Sequence, residues 1–109
     1  MVNYSTRQLD LAFGALAHPI RRGILVRLST GEATVSELAK PFKVSAPAIS
    51  RHMRILEEAG LLMRRKEGRE HHCRLDAKRL QQAEQWLERH RKIWNDRLDA
   101  LESYLKENP

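Results

Sequence analysis

Apolar positions along the chain fall into short runs at helical spacing, broken at intervals by Pro, Gly and capping residues. From about Ser5 to Ala17, Leu9, Ala12, Phe13 and Leu16 share one helical face. His18-Pro19 interrupts this run, and proline suits the first turn of a new helix, where its missing N–H has no partner to lose. The second helix, Pro19 to Ser29, turns Ile20, Ile24, Leu25 and Leu28 inward and stops at Thr30-Gly31-Glu32. Gly23 inside it costs about 1 kcal/mol against Ala, so another helix is expected to pack closely there. Thr34-Val35-Ser36-Glu37 forms a capping box, in which the Thr34 hydroxyl accepts from the Glu37 amide and the Glu37 side chain reaches back. The short helix it opens buries Val35, Leu38 and Ala39 and is limited by Pro41, with Phe42-Lys43-Val44 as the turn. Ser45 caps the next helix, which carries Pro47 in its first turn, Ile49, Met53 and Leu56 on one face, and Gly60 just past its end.

Beyond Gly60 the pattern changes. Leu61–Arg65 and Glu70–Leu75 flank Lys66-Glu67-Gly68-Arg69, whose glycine permits a hairpin turn, although the strands are poor in β-branched residues. Asp76 then caps a last helix running to about Glu107, roughly 45 Å at 1.5 Å per residue. Leu80, Leu87, Trp94 and Leu101 recur every seven residues, Ala83, Leu98 and Leu105 lie beside them, and Trp86 and Ile93 widen the stripe. A helix longer than the body it covers, apolar along its whole seam, needs a partner helix. Leu9, Phe13, Leu87, Trp94, Leu98 and Leu101 are the expected dimer seam.

The 109 residues suffice for one unit over 1–109. The net charge of +6 is unevenly spread. Residues 1–60 hold 8 Lys/Arg against 5 Asp/Glu, residues 61–75 hold 5 against 2, and residues 76–109 hold 7 against 7. The excess is densest on the hairpin, and a localised positive field attracts polyanions, nucleic acid first among them. Aromatics are only 6% of the chain, too few for a platform that stacks single-stranded bases. Cys73 is the single cysteine, which excludes an intramolecular disulfide framework and suits a reducing compartment. The longest apolar run, Leu11–Ala17, is too short to span a bilayer and has the wrong flanks for a secretory signal. The expectation is a cytoplasmic, nucleoid-associated protein with no membrane partner and no cofactor. No paired carboxylates at useful spacing, nucleophile–base set or phosphate-cradling glycine loop points to an enzyme.

A short capped helix, a tight turn and a second capped helix with small and basic residues outward make a helix-turn-helix. Ser45, Ala46, Pro47 and Ser50 keep the leading face of the second helix slim enough for the major groove of double-stranded DNA, together with Ala48. Arg51 and Arg54 can fork onto guanine or grip phosphate. Arg64, Arg65, Lys66 and Arg69 on the hairpin suit backbone or minor-groove contact beside it. The fold class expected is therefore mostly α with a small β-hairpin: a winged helix-turn-helix. The helix-turn-helix occupies about 34–60 and the wing about 61–75. The dimerisation helix, about 76–107, works together with helix 5–17. Arg21 and Arg22, near a helix N-terminus, invite an external anion or serve as plain surface charge.

The residues Leu16-Ala17-His18-Pro19-Ile20-Arg21-Arg22-Gly23-Ile24-Leu25, Thr34–Ala39, Val44–Leu56 and Ala59-Gly60-Leu61-Leu62 resemble the ArsR family of winged-helix repressors over roughly residues 9–76. The resemblance implies a bacterial or archaeal homodimer, repressing transcription from a palindromic operator, often its own. Many founding members of that family sense metals through Cys-x-Cys on the third helix or His/Asp/Glu on the last. Here the third helix reads Thr34-Val35-Ser36-Glu37-Leu38, and His90 on the last has Trp86, Leu87, Ile93 and Trp94 for neighbours. The chain thus resembles the branch that does not sense metals, and no metal ligands are assigned. Two alternatives stand beside this reading. One is a metal- or thiol-responsive sensor using His71, Cys73 and His90; the other is a winged helix that docks a protein.

Overall fold

A computed structural model describes residues 4–108 and shows a mostly helical winged helix with a small antiparallel sheet; the ends of the expected 1–109 unit lie outside these residues. In chain order the elements are α1 (Tyr4–Leu16), α2 (Pro19–Leu28), β1 (Ala33–Thr34), α3 (Val35–Ala39), α4 (Ala46–Glu58), β2 (Leu62–Glu67), β3 (Glu70–Leu75) and α5 (Ala77–Glu107). The expected helices all form, within a residue or two of the expected ends. Their caps do as well. Thr34 and Glu37 exchange both bonds of the capping box, the Ser45 hydroxyl accepts from the Ala48 amide, and the Asp76 carboxylate accepts from the Lys78 amide. The two bonds that the Glu37 carboxylate accepts, from the Thr34 hydroxyl at 3.0 Å and the Thr34 amide at 3.3 Å, are also the main reason this carboxyl lies below the ordinary carboxylate range.

The core gathers Ala12 and Ala15 of α1, Ile24, Leu25 and Leu28 of α2, Leu38 of α3, and Ile49, Met53 and Leu56 of α4. Cys73 and Leu62 close it from the sheet. The exit from α4 is tightly specified. The Leu61 amide donates to the Leu56 carbonyl at 3.0 Å and the Gly60 amide to the Glu57 carbonyl at 2.9 Å. This double bond pattern needs the left-handed backbone that Gly60 supplies at φ +72°. Leu56 and Leu61, the pair that such a motif brings together, are both fully buried.

Three details differ from the sequence reading. The sheet has three strands in the order β1-β3-β2, because Ala33 and Thr34 pair with Cys73 and His72. Two residues are too few to show an alternating pattern, so β1 left no mark of its own. The strands of the wing run as far as the Glu67–Glu70 pair, which leaves a two-residue loop, Gly68-Arg69, instead of four. Gly68 at φ +63° makes so tight a turn possible. Lastly, Gly23 is approached by an aromatic ring and not by a second helix. Phe42, at the end of a 3₁₀ turn over Lys40–Phe42, places ring carbons 2.7 and 2.8 Å from where a β-carbon on Gly23 would lie.

α5 gives the molecule its 65 Å length. Its first turns pack on α1: Ala83 is buried, Phe13 meets Trp86 edge-on at 5.7 Å between ring centres, and Arg79 bonds Gln8. Further along, Ile93, Trp94, Leu98, Leu101 and Leu105 are exposed.

Gly60→Ala forces a β-carbon into the left-handed region and against the Arg79 side chain. The expected loss is about 1–2 kcal/mol, seen as a lower urea midpoint at unchanged slope.

Candidate nucleic-acid interface

Two elements present the candidate site, and the local sequence explains how each is held. α4 buries Ile49, Met53 and Leu56 completely. Ala46, Pro47, Arg51 and Arg54 are exposed, and Ser50 is partly so. Neither Arg51 nor Arg54 has a hydrogen-bond or carboxylate partner among the described residues, so both guanidinium groups are available to an external acceptor. Ser45 is also exposed, and its oxygen already serves the Ala48 amide at 3.3 Å. The turn before α4 adds two cations that the sequence reading passed over, Lys40 and Lys43, both exposed. Lys43 takes the left-handed conformation, at φ 52°. Two lysines within four residues immediately ahead of a capped helix were the available signal.

The wing divides its cations into two kinds. Arg64 is half-buried and donates to Glu57 in the last turn of α4, through Nε at 2.7 Å and through Nη2. Arg65 donates to Glu32 at 2.9 Å and to Glu67 at 3.2 Å, and these bonds, Glu32 first, hold its ionisation even above the usual arginine range. Lys66 and Arg69, at the tip, are exposed and have no such partner among the described residues. Arg64 and Arg65 therefore anchor the hairpin at its base, while Lys66 and Arg69 carry its free charge.

Arg21 and Arg22 close the C-terminal end of α1. The Arg21 guanidinium donates to the carbonyls of Ala15 and Gly14 at 2.7 and 3.3 Å, and Arg22 donates to that of Leu16 at 2.8 Å. Carbonyls in the last turn of a helix lack partners and carry the negative end of the dipole, so cations are favourable there. The sequence reading considered only the helix that these arginines start and missed the one that they finish. His18 likewise has a role it did not assign: it is the N-cap of α2, its Nδ1 accepting from the Ile20 amide at 3.1 Å.

The residues of the metal- or thiol-responsive alternative lie apart. Cys73 is fully buried against the core, and burial pushes its thiol up to about 11. His71 is on β3, with its Nδ1 buried and unpartnered. His90 donates through Nδ1 to the Trp86 carbonyl at 2.8 Å, in a ring stack with Trp86 and Trp94. Among the described residues no three His, Cys, Asp or Glu side chains come together as a metal cage, and no helix is long and apolar enough to cross a membrane.

A capped helix with its outer face bare, followed at once by a basic hairpin, defines a winged-helix DNA-binding protein. Comparison with known proteins agrees. A family described as a helix-turn-helix domain matches residues 16–65. The transcriptional repressor SdpR of Bacillus subtilis is 33% identical over 79 residues, 72% of this chain and 88% of that protein. The HTH-type transcriptional regulator Rv2034 of Mycobacterium tuberculosis is 41% identical over 70 residues, 64% of this chain; the chain spans 65% of Rv2034's own length. The crystal structure of an ArsR family transcriptional regulator superposes with a TM-score of 0.79 at 41% identity, covering 87% of this chain and 97% of that one. The chain belongs to the ArsR family of winged-helix transcriptional regulators.

With its thiol protonated and enclosed, Cys73 is expected to resist a disulfide reagent such as DTNB at pH 8 and to react fully once guanidinium unfolds the chain. Rapid stoichiometric release of the chromophore from native protein would contradict the burial.

Proposed function

We propose that this protein is a homodimeric, non-enzymatic repressor that occupies a palindromic operator in duplex DNA. The observation that carries the reading is the outer face of α4. Its opposite face is wholly buried, and Arg51 and Arg54 stand exposed without a carboxylate partner. In this reading Ser45, Ala46, Pro47 and Ser50 let the helix approach base edges, while Arg51 and Arg54 bond guanine or phosphate. Lys66 and Arg69 hold the backbone from the wing tip. Arg64 and Arg65 contribute less directly, by fixing the wing to Glu57 and Glu32.

The second copy is supported by α5. Leu98 at 62% and Leu105 at 57% exposure continue a stripe, begun by Leu87 and Trp94, that stays largely open among the described residues. Water exposure of four or five large apolar side chains costs several kcal/mol, at about 25 cal/mol per Å². A two-fold partner using the same stripe, with Leu9, Phe13 and Leu101, would remove that cost. A dimer also explains why the operator would be palindromic: two-fold protein symmetry calls for two matching half-sites.

Fluorescence anisotropy against the gene's own upstream duplex and a shuffled duplex, over a salt series, tests the reading. The upstream duplex should bind at least about 10³-fold more tightly; equal binding to both would reduce the protein to a non-specific polycation. Arg51→Ala should cost about 1–3 kcal/mol on the operator and less on shuffled DNA. Arg69→Ala should weaken both alike and lower the salt slope by about 1. Leu101→Glu should halve the mass found by sedimentation equilibrium and abolish tight operator binding; an unchanged mass would remove Leu101 from the interface.

A further inference from the structure

Arg21 does more than finish α1. Its third bond runs from Nη1 to Nδ1 of His52, 3.2 Å away, and His52 sits on α4 directly after Arg51. One guanidinium thus joins the carbonyl end of α1 to the helix that presents Arg51 and Arg54. An arginine can only donate, so Nδ1 of His52 must be the bare, accepting nitrogen, and the ring must carry its proton on Nε2. The ring of His18, the N-cap of α2, lies 4.5 Å from that of His52. The basic groups bearing on His52 are His18 at the head of α2, Arg21 in α2 and Arg51 in α4 itself. Among the described residues, α1 contributes the carbonyls of Gly14 and Ala15, reached through Arg21.

We propose that Arg21 and His52 are positioning residues for DNA reading, whose hydrogen bond holds the recognition helix against the end of α1 only while His52 is neutral. A second proton on His52 removes the acceptor and sets an imidazolium against Arg21, His18 and Arg51. This polar contact then becomes repulsive, and α4 keeps its apolar packing but loses the hydrogen bond that sets its flank against the end of α1. Burial, first, and then the neighbouring basic groups His18, Arg21 and Arg51 already hold the His52 ring below the ordinary histidine range. The sign follows from that direction. The folded-state value is depressed, so the favourable contact is complete above about pH 6.5 and is lost as the pH falls through the lower folded value. This opposes the general trend for a polyanion ligand, since added positive charge strengthens non-specific DNA binding. The inference rests on the DNA-binding reading above but has a consequence that needs no DNA.

Operator affinity would be measured from pH 7.5 to 5.5 for the unmodified protein, His52→Asn and Arg21→Gln, with shuffled duplex as the non-specific reference. The asparagine oxygen can accept in place of Nδ1 and does not titrate. Specific affinity of the unmodified protein is expected to fall by about tenfold per subunit, hence by up to about a hundredfold for the dimer, for each pH unit below the His52 midpoint. Shuffled DNA should bind no more weakly over the same range. His52→Asn should match the unmodified protein at pH 7.5 and remove the fall, whereas Arg21→Gln should bind weakly throughout. A flat or rising operator affinity on acidification, or a fall that survives His52→Asn, overturns the proposal. In the DNA-free protein, NMR titration should show the His52 midpoint moving upward in Arg21→Gln; an unmoved midpoint also overturns it. If Arg21→Gln does not fold, His52→Asn decides the matter alone. Failure of the unmodified protein to bind any duplex would refute the regulator reading, and the ring titration would still judge the clamp.

Discussion

The arrangement of this molecule depends on how α4 is packed: one face of it is buried. Ile49, Met53 and Leu56 are fully removed from water, and each such side chain contributes about 1.5–3 kcal/mol of burial. Everything that touches their far side follows from that. α2 supplies Ile24, Leu25 and Leu28, α3 supplies Leu38, and Leu61 folds back beneath Leu56 to start the wing. Because the inner face supplies the apolar hold, with His52 and Glu57 bonded at the flanks, the face that carries Arg51 and Arg54 is free of structural duties. Small residues and arginines can occupy it without weakening the fold.

Around this contact the chain uses cations to finish helices. Arg21 and Arg22 serve the last carbonyls of α1, and Arg64 binds the last turn of α4 through Glu57. A count of basic residues therefore overstates the positive field presented outward. Arg21, Arg22, Arg64 and Arg65 are largely spent on internal acceptors. Arg51, Arg54, Lys66, Arg69 and the two lysines ahead of α4 are not. The distinction is one of partners rather than composition, and it makes the field at the recognition surface more local than a net charge of +6 suggests.

Much of this was readable in advance wherever local chemistry decides the outcome. The capping box at Thr34, the Ser45 and Asp76 caps, and Gly60 past α4 each act within a few residues, so sequence spacing alone reveals them. The buried positions of α4 followed from their spacing of four and three. What escaped the reading depends on contacts distant in sequence. β1 exists because Ala33 and Thr34 meet Cys73 and His72, some forty residues on. Arg64 and Arg65 looked like ordinary wing charges because Glu57 and Glu32 lie on other elements. Arg21 reaches Gly14 and Ala15 behind it and His52 thirty-one residues ahead, and no periodicity encodes such a triple contact. Gly23 was rightly expected to be crowded, but the identity of its neighbour, Phe42, required the turn geometry. The role of the exposed positions is defined by a partner, so neither spacing nor packing within the chain encodes it.

The bond from Arg65 to Glu32 has a consequence for entropy. β-Hairpins are marginal alone in water, and a loose one would surrender much chain freedom on docking. Here Arg65 fastens one strand to the loop after α2, Arg64 fastens it to α4, and β1 pairs along the other strand. The ordering is done during folding, so in the proposed complex association would immobilise little more than the Lys66 and Arg69 side chains. Each such flexible side chain costs about 0.5–1.5 kcal/mol to fix, which is small beside the loss of an entire mobile loop. On the proposed reading the wing would meet its partner already shaped, and the cost of its shape is charged to the stability of the free protein.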